Sequence, residues 1–168
     1  MDEEGLECQK KYNYAVIRQG ELWWHDFNYI CDCVRAAGSR PWMWADYIYD
    51  HEEEFLTRAP KDVLMSYWYY GNFPGDDTVK QVHSQWYAER STHYYELLDA
   101  HGFEQVPGAS NWDIPENFVG TVKFCEERCN SERILGYLQT VWYATVSENL
   151  PQYEAAIREL GKMDALLK

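Results

Sequence analysis

The sequence predicts an α/β fold of about four parallel strands, each followed by a helix. Short aromatic and apolar segments alternate with longer stretches whose apolar residues recur at helical spacing. The short segments are apolar on both faces, as strands in a helix-covered parallel sheet must be. Glycine or proline punctuates most of the changes between the two textures.

Residues 21–37, "ELWWHDFNYICDCVRAA", place Trp23, Phe27, Ile30 and Val34 on one helical face, and Gly38 ends that helix. The apolar run "RPWMWADYI", residues 40–48, reads as a buried strand, with a short helix over 51–58 stopped by Pro60. A second strand, "VLMSYWYYG", covers 63–71. The loop "GNFPGDD" then leads to a long helix over about 79–101, carrying Val82, Trp86, Tyr94 and Leu97 and closed by Gly102. The third strand, "FEQVPGAS", is interrupted by Pro107 and Gly108. Phe118, Val122, Cys125 and Cys129 mark the next helical face. The fourth strand is "RILGYLQTVWYAT", residues 133–145, and an amphipathic helix with Tyr153, Ile157, Leu160 and Leu167 follows.

A length of 168 residues suits one domain with a sizeable core, and no solenoid repeat, low-complexity tract or linker divides it. Four β/α units make half of an eightfold barrel, whose usual length is about 250 residues. Neither GxGxxG nor GxxxxGK[ST] occurs, which argues against a nucleotide site.

A net charge of −13 and a pI near 4.7 argue against nucleic acid and against an anionic membrane as partners. No apolar run approaches the roughly 20 residues of a membrane span, and the first residues lack the basic and apolar regions of a secretion signal. A cytoplasmic location is expected. The five cysteines include Cys31 with Cys33 and Cys125 with Cys129, spacings that match no standard zinc frame, so reduced and mostly buried thiols are expected, with no metal and no cofactor. His25 and His51 lie in helical segments, and His83, His93 and His101 share one helix without an HExxH frame.

Aromatic residues make up 17% of the chain, including eight Trp and fourteen Tyr, more than core packing requires. In a parallel α/β protein, functional groups gather at the carboxyl ends of strands. Those ends supply Trp44 and Asp46, then Trp68 with Tyr69 and Tyr70, then Asn111 and Trp112, then Trp142 with Tyr143. Any one of these indoles taken alone is best read as packing. Their recurrence at four strand ends suits a pyranose, which has apolar C–H faces and polar edges.

"MDEEG", "RPWMWADY", "VLMSYWYYG" and "LQTVWYA", in this order and spacing, resemble the second half of the catalytic barrel of glycoside hydrolase family 20, the β-N-acetylhexosaminidases and their relatives. The similarity extends over nearly the whole chain. It implies the C-terminal half of a TIM (β/α)8 barrel over residues 1–168, from the end of strand 4 through helix 8. In that family the fourth strand ends in adjacent Asp and Glu, which match Asp2 and Glu3. The tryptophans that surround the acetamido group match Trp44, Trp68 and Trp142.

The resemblance implies hydrolysis assisted by the substrate's own 2-acetamido group, an exception to the ordinary two-carboxylate mechanism. Glu3 is then the acid and base, and Asp2 holds the acetamido N–H. The negative Asp2 raises the pKa of Glu3, keeping it protonated as an acid. Trp44, Asp46, Trp68, Tyr70, Asn111, Trp112 and Trp142 are the expected sugar contacts. Two positions depart from the family. "SNWD" puts Asn111 and Asp113 where the family has Tyr and then Asp, and Ala144 stands where a Glu often follows the last tryptophan.

The expected partner is a carbohydrate, and unpaired barrel edges lead to an expected homodimer, or an unstable monomer, for the isolated chain. Two other readings fit the same residues: a noncatalytic half-barrel, lacking groups that strands one to three contribute in the family, and a carbohydrate-binding protein without hydrolysis.

Overall fold

The computed structural model describes residues 20–74 and 82–162, so Asp2 and Glu3 lie outside the described residues. The chain divides into two compact units, Met1–Pro41 and Trp42–Lys168.

The first unit contains helix α1 (Glu21–Ala36), in which Trp24 and Cys31 are buried. Trp23 stacks on Phe27 with ring centroids 5.1 Å apart, one turn along the same face. The helix ends as its sequence indicates. Gly38 takes a left-handed φ of 76°, and the Ser39 N–H returns to the Val34 carbonyl at 3.1 Å.

The second unit runs β1 (Trp42–Trp44), α2 (Glu52–Arg58), β2 (Leu64–Ser66), α3 (Gln85–Ala100), β3 (Gly108–Ser110), α4 (Asn117–Arg128), β4 (Leu138–Thr140) and α5 (Leu150–Leu160). Strands and helices therefore alternate, and the class is mixed α/β with parallel strands. β1 pairs with β2 in the register Trp42 to Leu64, and β3 with β4 in the register Gly108 to Leu138. Parallel bridges from Met65 to Gln105 and from Trp68 to Gly108 join the two pairs, and one from Gln105 to Ile134 extends the second. The four strands thus neighbour one another in chain order, without the reversal that creates a switch point in doubly wound sheets.

The regular ladders are shorter than the sequence segments suggest. After Trp44 the chain turns into a 3-10 segment, Asp46–Tyr49, which takes up the second half of the expected first strand. Pro107 removes one ladder donor, but pairing continues across it: the Gly108 N–H reaches the Tyr67 carbonyl at 2.7 Å and the Leu138 N–H reaches the Pro107 carbonyl at 2.9 Å.

Helix α3 starts at Gln85, later than the sequence pattern suggests. The Asn72 Oδ1 accepts the Val82 N–H at 3.1 Å, and the Ser84 hydroxyl accepts the Tyr87 N–H at 3.3 Å as an N-cap. Its buried face is Ala88, Ser91, Thr92, Tyr94, Tyr95 and Leu98, while Trp86 is exposed.

The pleat divides the second strand segment. Val63, Met65, Tyr67 and Tyr69 are buried, and Tyr67 meets Tyr94 and Tyr95 of α3 with centroids 5.4 and 4.9 Å away. On β3, Ala109 packs with Phe118 and Val122 of α4, and Tyr137 leans on the same cluster. Ser66 ties three strand segments together: its hydroxyl accepts the Trp42 indole N–H at 2.8 Å and donates to the Val106 carbonyl at 2.7 Å. Among the described residues, Cys31, Cys33, Cys125 and Cys129 are not joined in disulfides, and burial pushes the Cys125 thiol pKa well up. No helix of the described residues is long and apolar enough to cross a membrane.

Phe118 is fully buried at the centre of the α4 contact. Phe118→Ala is expected to cost about 3–5 kcal/mol of stability, seen as a lower urea midpoint at unchanged slope.

Candidate functional site

The carboxyl ends of the strands enclose a cavity of about 480 Å³, lined by Trp44, Asp46, Trp68, Tyr70, Trp112, Asp113 and Trp142. Six of the seven sugar-contact residues expected from sequence therefore share one wall, together with Asp113. The volume lies within the roughly 300–1,000 Å³ of ordinary small-molecule sites.

Trp44 is the last residue of β1, and it reaches sideways rather than straight up. A Cβ on Gly108 would stand 2.9 Å from the Trp44 ring and 3.4 Å from the Trp68 Cβ. The missing side chain at residue 108 leaves the room that the Trp44 indole fills. Just beyond β1, the Asp46 Oδ1 accepts the Trp68 indole N–H at 2.9 Å, which fixes the carboxylate and the ring together.

Trp68 stacks on Tyr70, centroids 4.8 Å apart and planes 24° from parallel. Tyr70 in turn lies 6.4 Å from the Trp142 ring. This gives a continuous aromatic surface across the ends of β2 and β4. Burial raises the Tyr70 pKa, partly offset by hydrogen bonds involving Thr140 and Trp142, so the phenol stays protonated at neutral pH. Thr140 is held by its hydroxyl bond to the Ala109 carbonyl at 2.8 Å.

The third strand contributes through its loop. The Ser110 hydroxyl accepts the Trp112 N–H at 3.1 Å, and the Trp112 ring tilts against Tyr143 at 5.0 Å. Asp113 stands 3.7 Å from the His83 Nε2. Asn111 is the one expected contact that does not line the cavity. It is 7% exposed, and its Nδ2 donates to the Gln152 carbonyl of α5 at 2.8 Å.

One supporting residue escaped the sequence reading. Asn117 opens α4 and is 2% exposed. Its Nδ2 donates to the Tyr69 and Gly71 carbonyls, both at 2.9 Å, and its Oδ1 accepts the Ser110 N–H at 3.0 Å. One carboxamide thus clamps the ends of the second and third strand segments, which carry Tyr70 and Trp112. An Asn at a helix start after a strand reads from sequence as an ordinary cap. The signal was present but pointed to a local role.

Chemically, the wall offers ring faces, one neutral phenol and two carboxylates, with no Lys or Arg among the described lining residues. Such a surface can stack an uncharged ring and accept hydrogen bonds from hydroxyl or N–H groups at its edges. No protein-family model matches the chain, and no curated protein matches it in sequence.

Asn117→Ala would leave two strand-end carbonyls and the Ser110 N–H without their partner. We expect a loss of about 2–4 kcal/mol in denaturant unfolding.

Proposed function

We propose that the chain is the C-terminal half of a TIM (β/α)8 barrel and that its cavity binds β-linked N-acetylhexosamine or a closely related sugar. In the complete barrel this site carries out substrate-assisted, retaining hydrolysis. The observation that carries the reading is the convergence of Trp44, Asp46, Trp68, Tyr70, Trp112 and Trp142 on one cavity. Four parallel strands adjacent in chain order support the barrel arc.

The roles of Asp2 and Glu3 rest on the resemblance of "MDEEG" to the family's fourth strand end. The substrate's acetamido oxygen attacks its own anomeric carbon, while Glu3 gives a proton to the departing glycosidic oxygen. The ring closed in this way is an oxazolinium ion, and Asp2 accepts its N–H. Glu3, now ionised, takes a proton from water, which attacks the anomeric carbon and reopens the ring. The aromatic wall holds the sugar in place through both steps, which is where orientation contributes most.

Joined to preceding β/α units that complete the barrel, the chain should release p-nitrophenol from p-nitrophenyl N-acetyl-β-glucosaminide. Glu3→Gln should lower kcat by about 10²–10⁴-fold. An active enzyme indifferent to Glu3→Gln would sink the mechanism. Sugar-dependent quenching of tryptophan fluorescence without hydrolysis, in the completed barrel, would favour the binding-protein reading.

Among the described residues β1 and β4 each have a strand neighbour on one side only. We therefore expect the isolated chain to form a homodimer through these edges or to be an unstable monomer. Sedimentation equilibrium should show a concentration-dependent dimer, and a cooperatively melting monomer at low concentration would count against it.

A further inference from the structure

The two carboxylates on the cavity wall have different surroundings. Asp46 is engaged by the Trp68 indole N–H and sits with the stacked Trp68 and Tyr70 rings. That environment suits a sugar hydroxyl. Asp113 follows Trp112 on the loop beyond β3, with its side chain 35% exposed. Its near neighbour His83 stands 3.7 Å away, within ion-pair distance when the imidazole is protonated but beyond hydrogen-bond reach, which leaves the carboxylate's acceptor positions open to a ligand. The adjacent Trp112 is 49% exposed, with one side of its ring tilted against Tyr143. A carboxylate and an accessible indole that line the same cavity are a pairing that attracts a cation through both a charge-assisted hydrogen bond and the ring quadrupole.

We propose that the cavity selects β-linked amino-sugar oligosaccharides of mixed acetylation, with a residue bearing a free protonated amine seated at Trp112 and Asp113. The inference rests on the sugar-binding reading of the same site and adds the charge of its ligand. Sugars bearing carboxylate or sulfate meet two like charges and no cationic side chain among the described lining residues. A small methylated ammonium ion would use one or two of these rings and leave most of the roughly 480 Å³ unfilled. An amine on a sugar ring uses the carboxylate, the indole and the remaining volume together.

The test is tryptophan fluorescence titration of the full chain at about pH 6, where a sugar amine is protonated. Three disaccharide probes are compared: N,N′-diacetylchitobiose, its analogue with one free amine on the reducing-end residue, and a disaccharide bearing glucuronate. The free-amine probe should bind about tenfold more tightly than the diacetyl probe, with glucuronate weakest. The preference should shrink as salt is raised.

Because the whole chain is acidic, site-specific preference must be separated from general attraction. Asp113→Asn should reduce the amine-to-acetamide affinity ratio to within about twofold, while Glu154→Gln on exposed α5 should leave it near tenfold. Equal affinities in the unmutated chain, or a ratio that survives Asp113→Asn, would overturn this inference and leave the sugar site standing. Absence of binding by all three probes would overturn the sugar site and this inference together.

Discussion

Parallel pairing of successive strands in chain order is the constraint on which the rest of this structure depends. Once β1 to β4 point the same way and each lies beside the next, every strand delivers its carboxyl end to the same side. The pleat then sorts each aromatic run in two. Tyr67 enters the layer against Tyr94 and Tyr95, while Trp68 turns toward Tyr70 and Asp46. A chain so rich in tryptophan and tyrosine can therefore build a core and a binding wall from the same short segments.

The wall is set by polar groups as much as by rings. Asn117 clamps two strand ends, Ser66 links three strand segments, and the Asp46 carboxylate orients the Trp68 indole. Each of these groups is satisfied by a partner distant in sequence, so each fixes the position of one strand relative to another. Hydrogen bonds at buried or half-buried sites contribute modestly when made and cost much more when one partner is lost. The positions of the rings consequently depend in part on Asn117 and Ser66, which do not line the cavity.

Much of this was legible in the sequence. The alternation of textures located all four strands and the helices after them, and Gly38 and Gly102 closed the helices they follow. The strand-end rule assembled most of the cavity wall, because in a parallel sheet position along the strand determines position in space. Legibility failed where a side chain acts at long range. Asn111 occupies a strand end like its neighbours, yet its carboxamide bonds to α5, and nothing in the local sequence marks that partner. Asn117 looks like a cap and works as a clamp. The start of α3 moved because Asn72, ten residues before Val82, captures that backbone N–H.

Gly108 stands in the sequence as an interruption beside a proline, and in the fold it is the hollow that receives the Trp44 indole. Residues 44 and 108 thus share one volume across two strands that are not direct neighbours. A lineage or a designer wishing to enlarge residue 108 must shrink residue 44 at the same time. Such paired exchange offers a route to reshape the cavity floor while the strands beneath it stay where they are.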